Sequence, residues 1–200
     1  YDLTTKKTII KNVFMAENYM KNYWSAFTYK NEIWFVPVRD YQQIAIYNVN
    51  KNTITYLSYP KSEQECAYIP FMDYHIVKNN IYLIPAHYDC ILKINPETKD
   101  VSRISIGVDD FAGDGYPVTM ASVVTKDKII MCPYNNKKMF IFDTNTDQIT
   151  ECVRLEYVKT YSNIGIYNDT VILIPDDLNN DICEVDLRKK SHKYKTILCR

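Results

Sequence analysis

Residues 79–104 read NNIYLIPAHYDCILKINPETKDVSRI. An Asn pair opens a run of four apolar residues, Ile81-Tyr82-Leu83-Ile84, and Pro85 stops it. Pro cannot donate to a β ladder, so Pro85 marks where this strand leaves its partners. A second strand, Ile91-Leu92-Lys93-Ile94, ends at Asn95, which opens the polar turn NPETKD. An Asx side chain bonds the backbone two residues on, which gives this turn a mechanism. A sheet with one wet face alternates apolar and polar residues. The first strand does not alternate, so both its faces must be covered.

The same phrase recurs through the chain. NEIWFVP (31–37), DKIIMCP (127–133) and DTVILIP (169–175) repeat the Pro-terminated strand, with prolines spaced 48, 48 and 42 residues apart. IAIYN (44–48), MFIFD (139–143) and ICEVD (182–186) repeat the strand that ends in Asn or Asp. Each is followed by a polar turn and a further apolar stretch, as in TITYL (53–57) and QITECV (148–153). Each Pro-terminated strand is preceded by another short strand: AFTYK (26–30), HIVK (75–78), SVVTK (122–126) and IGIYN (164–168). One unit therefore holds four antiparallel strands, a to d, in about 45 residues, the length of a β-propeller blade. Blades stacked around an axis cover both faces of strand b. Parallel α/β sheets do so only with helices between strands, and here only 15–24 (MAENYMKNYW) suits a short helix.

In these repeats, best in 79–104 and 127–150, the chain resembles kelch and YVTN-type β-propeller repeats. The paired glycines that end strand b in kelch repeats are replaced here by proline. The resemblance implies a fold and carries over no catalytic residue. The expected architecture is all-β: a β-propeller domain with a partial blade at about 1–14 and complete blades at about 21–60, 72–105, 119–155 and 161–199. The opening YDLTTKKTII matches only the second half of a unit, which suggests that further blades precede it in a larger propeller.

Composition narrows the function. Lys+Arg 24 balances Asp+Glu 24, whereas a nucleic-acid binder carries a basic excess. No apolar run reaches the length needed to span a bilayer, so no membrane insertion is expected. The motifs of serine hydrolases, zinc proteases and phosphate loops are missing, and no cofactor is implied. The six cysteines contain no C-x-x-C pair, and Cys132, Cys152 and Cys183 fall in strands as small apolar residues, which points to a reducing, cytoplasmic setting.

Short, polar a–b and c–d turns share one end of such a unit. The longer b–c loops and inter-blade connections share the other, and variable loops on a rigid scaffold are where ligands bind. That end carries the candidate binding residues Trp24, Arg39, Asp40, Asp73, His75, His87, Tyr88, Asp89, Tyr134, Asn135 and Asp176. Two His and two carboxylates around 73–89 are the sharpest cluster, suited to a metal or to acid–base work, although loop polarity beside one partly buried His is the simpler reading, since His and Asp alone lack ligand geometry. The aromatic rings suit stacking on sugars or anchoring a peptide. DFAGDG (110–115) and DLNNDI (177–182) resemble calcium loops but lack ligands or the turn glycine. The basic run RKKSHKYK (188–195) suits either an acidic partner or the protection of an outer strand edge. Asn168-Asp169-Thr170 is a glycosylation sequon on a turn. The expectation is a non-enzymatic binding or scaffold module whose ligand is a protein segment or glycan. The alternative is a propeller-fold lyase or hydrolase of carbohydrate using His75, His87 and Asp89 with Arg39.

Overall fold

The computed structural model describes residues 23–38, 43–61, 69–106, 119–134, 136–177, 181–189 and 191–195. These form sixteen strands in four sheets, each in simple sequential order. Sheet 1 holds β1 (Tyr23–Tyr29), β2 (Glu32–Pro37), β3 (Ile44–Asn48) and β4 (Thr53–Leu57). Sheet 2 holds β5 (Phe71–Val77), β6 (Asn80–Pro85), β7 (Cys90–Ile94) and β8 (Val101–Ser105). Sheet 3 holds β9 (Thr119–Thr125), β10 (Lys128–Pro133), β11 (Asn136–Asp143) and β12 (Gln148–Lys159). Sheet 4 holds β13 (Tyr161–Tyr167), β14 (Thr170–Pro175), β15 (Ile182–Asp186) and β16 (Ser191–Lys195). All neighbouring strands pair antiparallel. The four repeats read in the sequence are these four sheets. Tyr23 and Trp24, the end of the expected short helix, instead begin β1. Its other residues, and the partial blade at 1–14, lie outside the described residues.

The unbroken apolar runs divide between two cores. Ile81 and Leu83 of β6 pack with Trp34, Val36, Ile44 and Ile46 of sheet 1. Tyr82 and Ile84 pack on the other side with Ile129, Met131, Phe140 and Phe142 of sheet 3. Alternate residues of β10 divide in the same way: Ile130 and Cys132 meet Val171, Leu173, Cys183 and Val185 of sheet 4. Side chains alternate across a strand, so a run that is apolar throughout serves two neighbours. First strands β5, β9 and β13 lie against one another. Last strands diverge, leaving a groove of about 620 Å³ between β8 and β12. The sheets are therefore wedges converging on their first strands.

The turns join neighbouring sheets. Each c–d turn opens on an Asx cap: Asn48 Oδ1 accepts the Lys51 N–H at 2.9 Å, Asn95 Oδ1 that of Glu97 at 2.9 Å, Asp143 Oδ1 that of Asn145 at 2.8 Å and Asp186 Oδ1 that of Arg188 at 3.0 Å. The following residue donates to the a–b turn of its own sheet, Val49 N–H to Asn31 O, Thr144 N–H to Asp127 O and Leu187 N–H to Asp169 O. In sheet 2 that place falls to Pro96, which has no N–H. Lys99 reaches back from its turn to Glu32 at 2.7 Å, over the ring of Trp34. Lys93 reaches forward to Asp147, above the ring of Tyr82. Sheets 1–2 and 2–3 thus share one device, an aromatic ring beneath a cation that is itself paired to an acid.

Candidate functional site

Each first strand begins opposite the proline of its neighbour and then slips register. The shift falls between Tyr23 and Ser25, between Phe71 and Asp73, between Tyr161 and Asn163, and, in sheet 3, opposite Met131 and Pro133. Such a bulge leaves a backbone N–H without its ladder partner. In sheet 2 the Asp73 carboxylate accepts the freed N–H of Tyr74 at 2.8 Å. In sheet 4 Asn163 does the same for Ile164 at 2.8 Å. Sheet 3 has Ala121 before the equivalent Ser122, and alanine has no acceptor. Asp73 crosses from sheet 2 to fill the gap. Its Oδ2 accepts the Ser122 N–H at 2.9 Å and the Ser122 hydroxyl at 2.8 Å.

His75 completes this polar seam. Its Nε2 lies 2.7 Å from Ser122 Oγ and 3.7 Å from Asp73 Oδ2. Ser122 Oγ lies within hydrogen-bond distance of both the Asp73 carboxylate and His75 Nε2, and the tautomer of His75 sets which of the two receives the single hydroxyl proton. Asp73 approaches Nε2, the same nitrogen that meets Ser122, and so does not hold the ring from behind as the third member of a nucleophile–base–orienter relay does. Burial holds His75 below the usual His pKa, and the Asp73 charge opposes that shift. The corresponding seams differ in character. Phe27 and Tyr74 stack at 4.2 Å between sheets 1 and 2. Ala121 and Val123 meet Ile164 and Ile166 between sheets 3 and 4.

The sequence cluster around 73–89 is divided by the fold. Asp73 and His75 face sheet 3, whereas Tyr88 belongs to the core shared with sheet 1. Tyr88 is buried 4.8 Å from the Phe71 ring and 6.0 Å from the Tyr59 ring, and its hydroxyl donates to Pro60 O. Asp89 pairs with Arg103 at 2.8 Å, and the same guanidinium reaches Lys61 O at 3.4 Å. Arg103, on β8, was invisible as a site residue in the sequence because its partner lies on a separate loop. The Cys90 thiol is buried, and desolvation pushes its pKa up to about 12. A thiol so held is not a nucleophile near neutrality. His87 is half-buried and, through burial, also lies below the usual His value.

The remaining candidates separate by exposure. Trp24 sits at the β1 register shift and is 48% exposed. Tyr134 is half-buried after Pro133, and Asp176 is exposed with its N–H bonded to Thr160 O. Arg39, Asp40 and Asn135 lie outside the described residues, as do 110–115 and 178–180 of the two suspected calcium loops. Among the described residues no group of three His, Cys, Asp or Glu is placed to hold a metal ion. No helix is long and apolar enough to cross a membrane among them. Cys90, Cys132 and Cys183 are buried and in no disulfide. The described cations of the basic run pair with acids of their own sheet: Arg188 with Asp169 at 3.4 Å, Lys189 with Asp186 at 3.9 Å, and Lys193 (at 2.9 Å) and Lys195 both with Glu184.

No family model and no curated protein matches the chain. Solved structures do. Streptogramin B lyase is similar at 11% identity with a TM-score of 0.63, over 88% of this chain and 55% of the lyase chain. The extracellular domain of BT4673 from B. thetaiotaomicron is similar at 10% identity with a TM-score of 0.60, over 86% of this chain and 23% of that one. PorZ, a surface component of the type-IX secretion system of Porphyromonas gingivalis, is similar at 10% identity with a TM-score of 0.52, over 82% and 20%. The chain thus spans little more than half of the lyase. What these likenesses share with it is a β-propeller-like fold.

Proposed function

We propose that this chain is a binding or scaffold module of the β-propeller type that holds a protein segment or glycan at its loop end. The observation that carries this reading is the contrast between Trp24 and the polar candidates. Trp24 presents an exposed indole beside the first-strand register shift. Asp73, His75 and Asp89 are each engaged in holding the fold. An exposed aromatic on a rigid frame suits a stacking or anchoring contact. On the same reading the sheets are part of a larger ring of kelch or YVTN character, supported by their wedge shape and by the repeat pattern.

The second reading is a carbohydrate lyase or hydrolase. Fellowship of fold with a lyase favours it only at the level of fold. It needs His75, His87, Asp89 and Arg39 to converge, and Asp89 is turned to Arg103. A glycan and peptide array probed with the intact chain tests the proposal. Binding lost in Trp24→Ala supports it. Binding unchanged in Trp24→Ala, His87→Ala and Tyr134→Ala removes this face. Turnover of an arrayed glycan, abolished by His87→Ala, favours the enzyme.

A further inference from the structure

At the turn end, neighbouring sheets are fastened by charge. Lys30, in the a–b turn of sheet 1, meets Glu97, two residues past the Asx cap of sheet 2, at 2.5 Å. Glu32, where β2 begins, meets Lys99 of that same c–d turn at 2.7 Å. Between sheets 2 and 3, Lys78 meets Asn145 and, at 2.9 Å, Asp127, while Lys93 meets Asp147. Each of these contacts sets a cation against an acceptor across the joint. Sheets 3 and 4 depart from that rule. Lys126 holds the place of Lys30 and Lys78 and shares their left-handed turn conformation. The place of Glu97 and Asn145 falls to Arg188, and Lys128 stands where β2 has Glu32. Lys126 and Lys128 are exposed and make no ion pair among the described residues. The described ion pairs of sheet 4 all stay within it. Arg188 is shared with Asp169 yet remains 74% exposed.

We propose that the turn end of the joint between sheets 3 and 4 is a docking surface for an acidic, extended peptide segment of a partner protein. The earlier joints supply both signs of charge. This one presents cations from both walls, so the negative charge comes from outside. Lys30 and Glu32 both turn to sheet 2, and the equivalent Lys126 and Lys128 turn to sheet 4. Carboxylates at alternate positions of an extended segment lie on one face about 7 Å apart, a spacing that suits two lysines set two positions apart. A second copy of this chain is the poorer occupant, because its turn-end acids Glu32, Glu97, Asp127 and Asp147 are already paired. Nucleic acid is poorer too, since the chain as a whole carries no basic excess. The surface lies at the opposite end of the sheets from Trp24 and does not depend on the loop-end reading.

Titration of the ¹⁵N-labelled intact chain with a capped octapeptide of alternating Glu and Thr, at low ionic strength, tests the surface. Saturable shifts of the amides of residues 126–128 and 187–189 support the proposal. The same peptide with Gln for Glu leaves those amides unmoved, and added salt releases the acidic one. Lys126→Glu with Lys128→Glu weakens binding about tenfold or more, because two attractions become repulsions. Trp24→Ala leaves binding unchanged. Lys126→Glu also has a readout without any peptide. It restores the Lys30–Glu97 arrangement with the signs exchanged, so its melting temperature exceeds that of Lys126→Gln. Absent shifts, equal shifts with the Gln peptide, loss in Trp24→Ala, or binding indifferent to the double reversal each overturn the proposal. A melting temperature no higher than that of Lys126→Gln overturns the placement of Arg188 opposite Lys126. A DNA duplex that binds these residues more tightly than the acidic peptide overturns the choice of partner.

Discussion

Sheets 2 and 4 carry the same instruction and meet different surroundings. Ile81-Tyr82-Leu83-Ile84 and Val171-Ile172-Leu173-Ile174 are interchangeable as patterns, yet β6 is covered on both sides and β14 on one. The comparison teaches that an unbroken apolar strand encodes a demand for two neighbours without encoding who they are. It also separates two ways of joining wedges. The seam between sheets 2 and 3 combines apolar packing with the Asp73–Ser122–His75 network. The seam between sheets 3 and 4 is aliphatic at the same depth.

The strongest break in this comparison comes from the doubly covered strand. Leu83→Ala should lower unfolding free energy by about 2–5 kcal/mol, read from urea melts, because the site cannot collapse from either side. Next comes the polar seam. Asp73→Ala strands the N–H groups of both Tyr74 and Ser122 and should cost about 1–3 kcal/mol, whereas Asn163→Ala, which strands the Ile164 N–H alone, should cost less. Equal losses would show that the reach from sheet 2 to Ser122 adds nothing.

Acidity sharpens the contrast further. His75 and His87 lie below the usual value of 6.5 in the fold, so the unfolded chain binds protons first as pH falls. Their contribution is complete above about pH 6.5 and is lost progressively below it. The melting temperature should drop between pH 7.5 and 5.5, and the drop should shrink in His75→Asn. A flat profile would mean that neither imidazole is shielded. The smallest effect belongs to the open face: Ile174→Ala should change stability by no more than about 0.5 kcal/mol in the chain as it stands.

The frame was legible in the sequence because it is local. Prolines end strands, Asn95 and Asp186 cap turns, and apolar runs declare double burial, each within a few residues. The candidate site was less so. Nothing near Asp73 announces that Ala121, 48 positions on, leaves an N–H for it to take. Nothing near Asp89 names Arg103 as the group that occupies it. Both facts depend on which residue a neighbouring sheet or strand brings alongside. β12 likewise runs to Lys159, past the 148–153 stretch that its apolar residues suggested.

The tight turns at Lys30, Lys78 and Lys126 all take left-handed φ values, 50°, 49° and 52°, without glycine. Glycine would relax that bend by roughly 1 kcal/mol. It would also delete the ammonium groups by which Lys30 reaches Glu97 and Lys78 reaches Asp127. Local comfort and long-distance attachment therefore pull on a single side chain. Attempts to harden this molecule by relieving its bends would at those corners loosen the joints between its leaves.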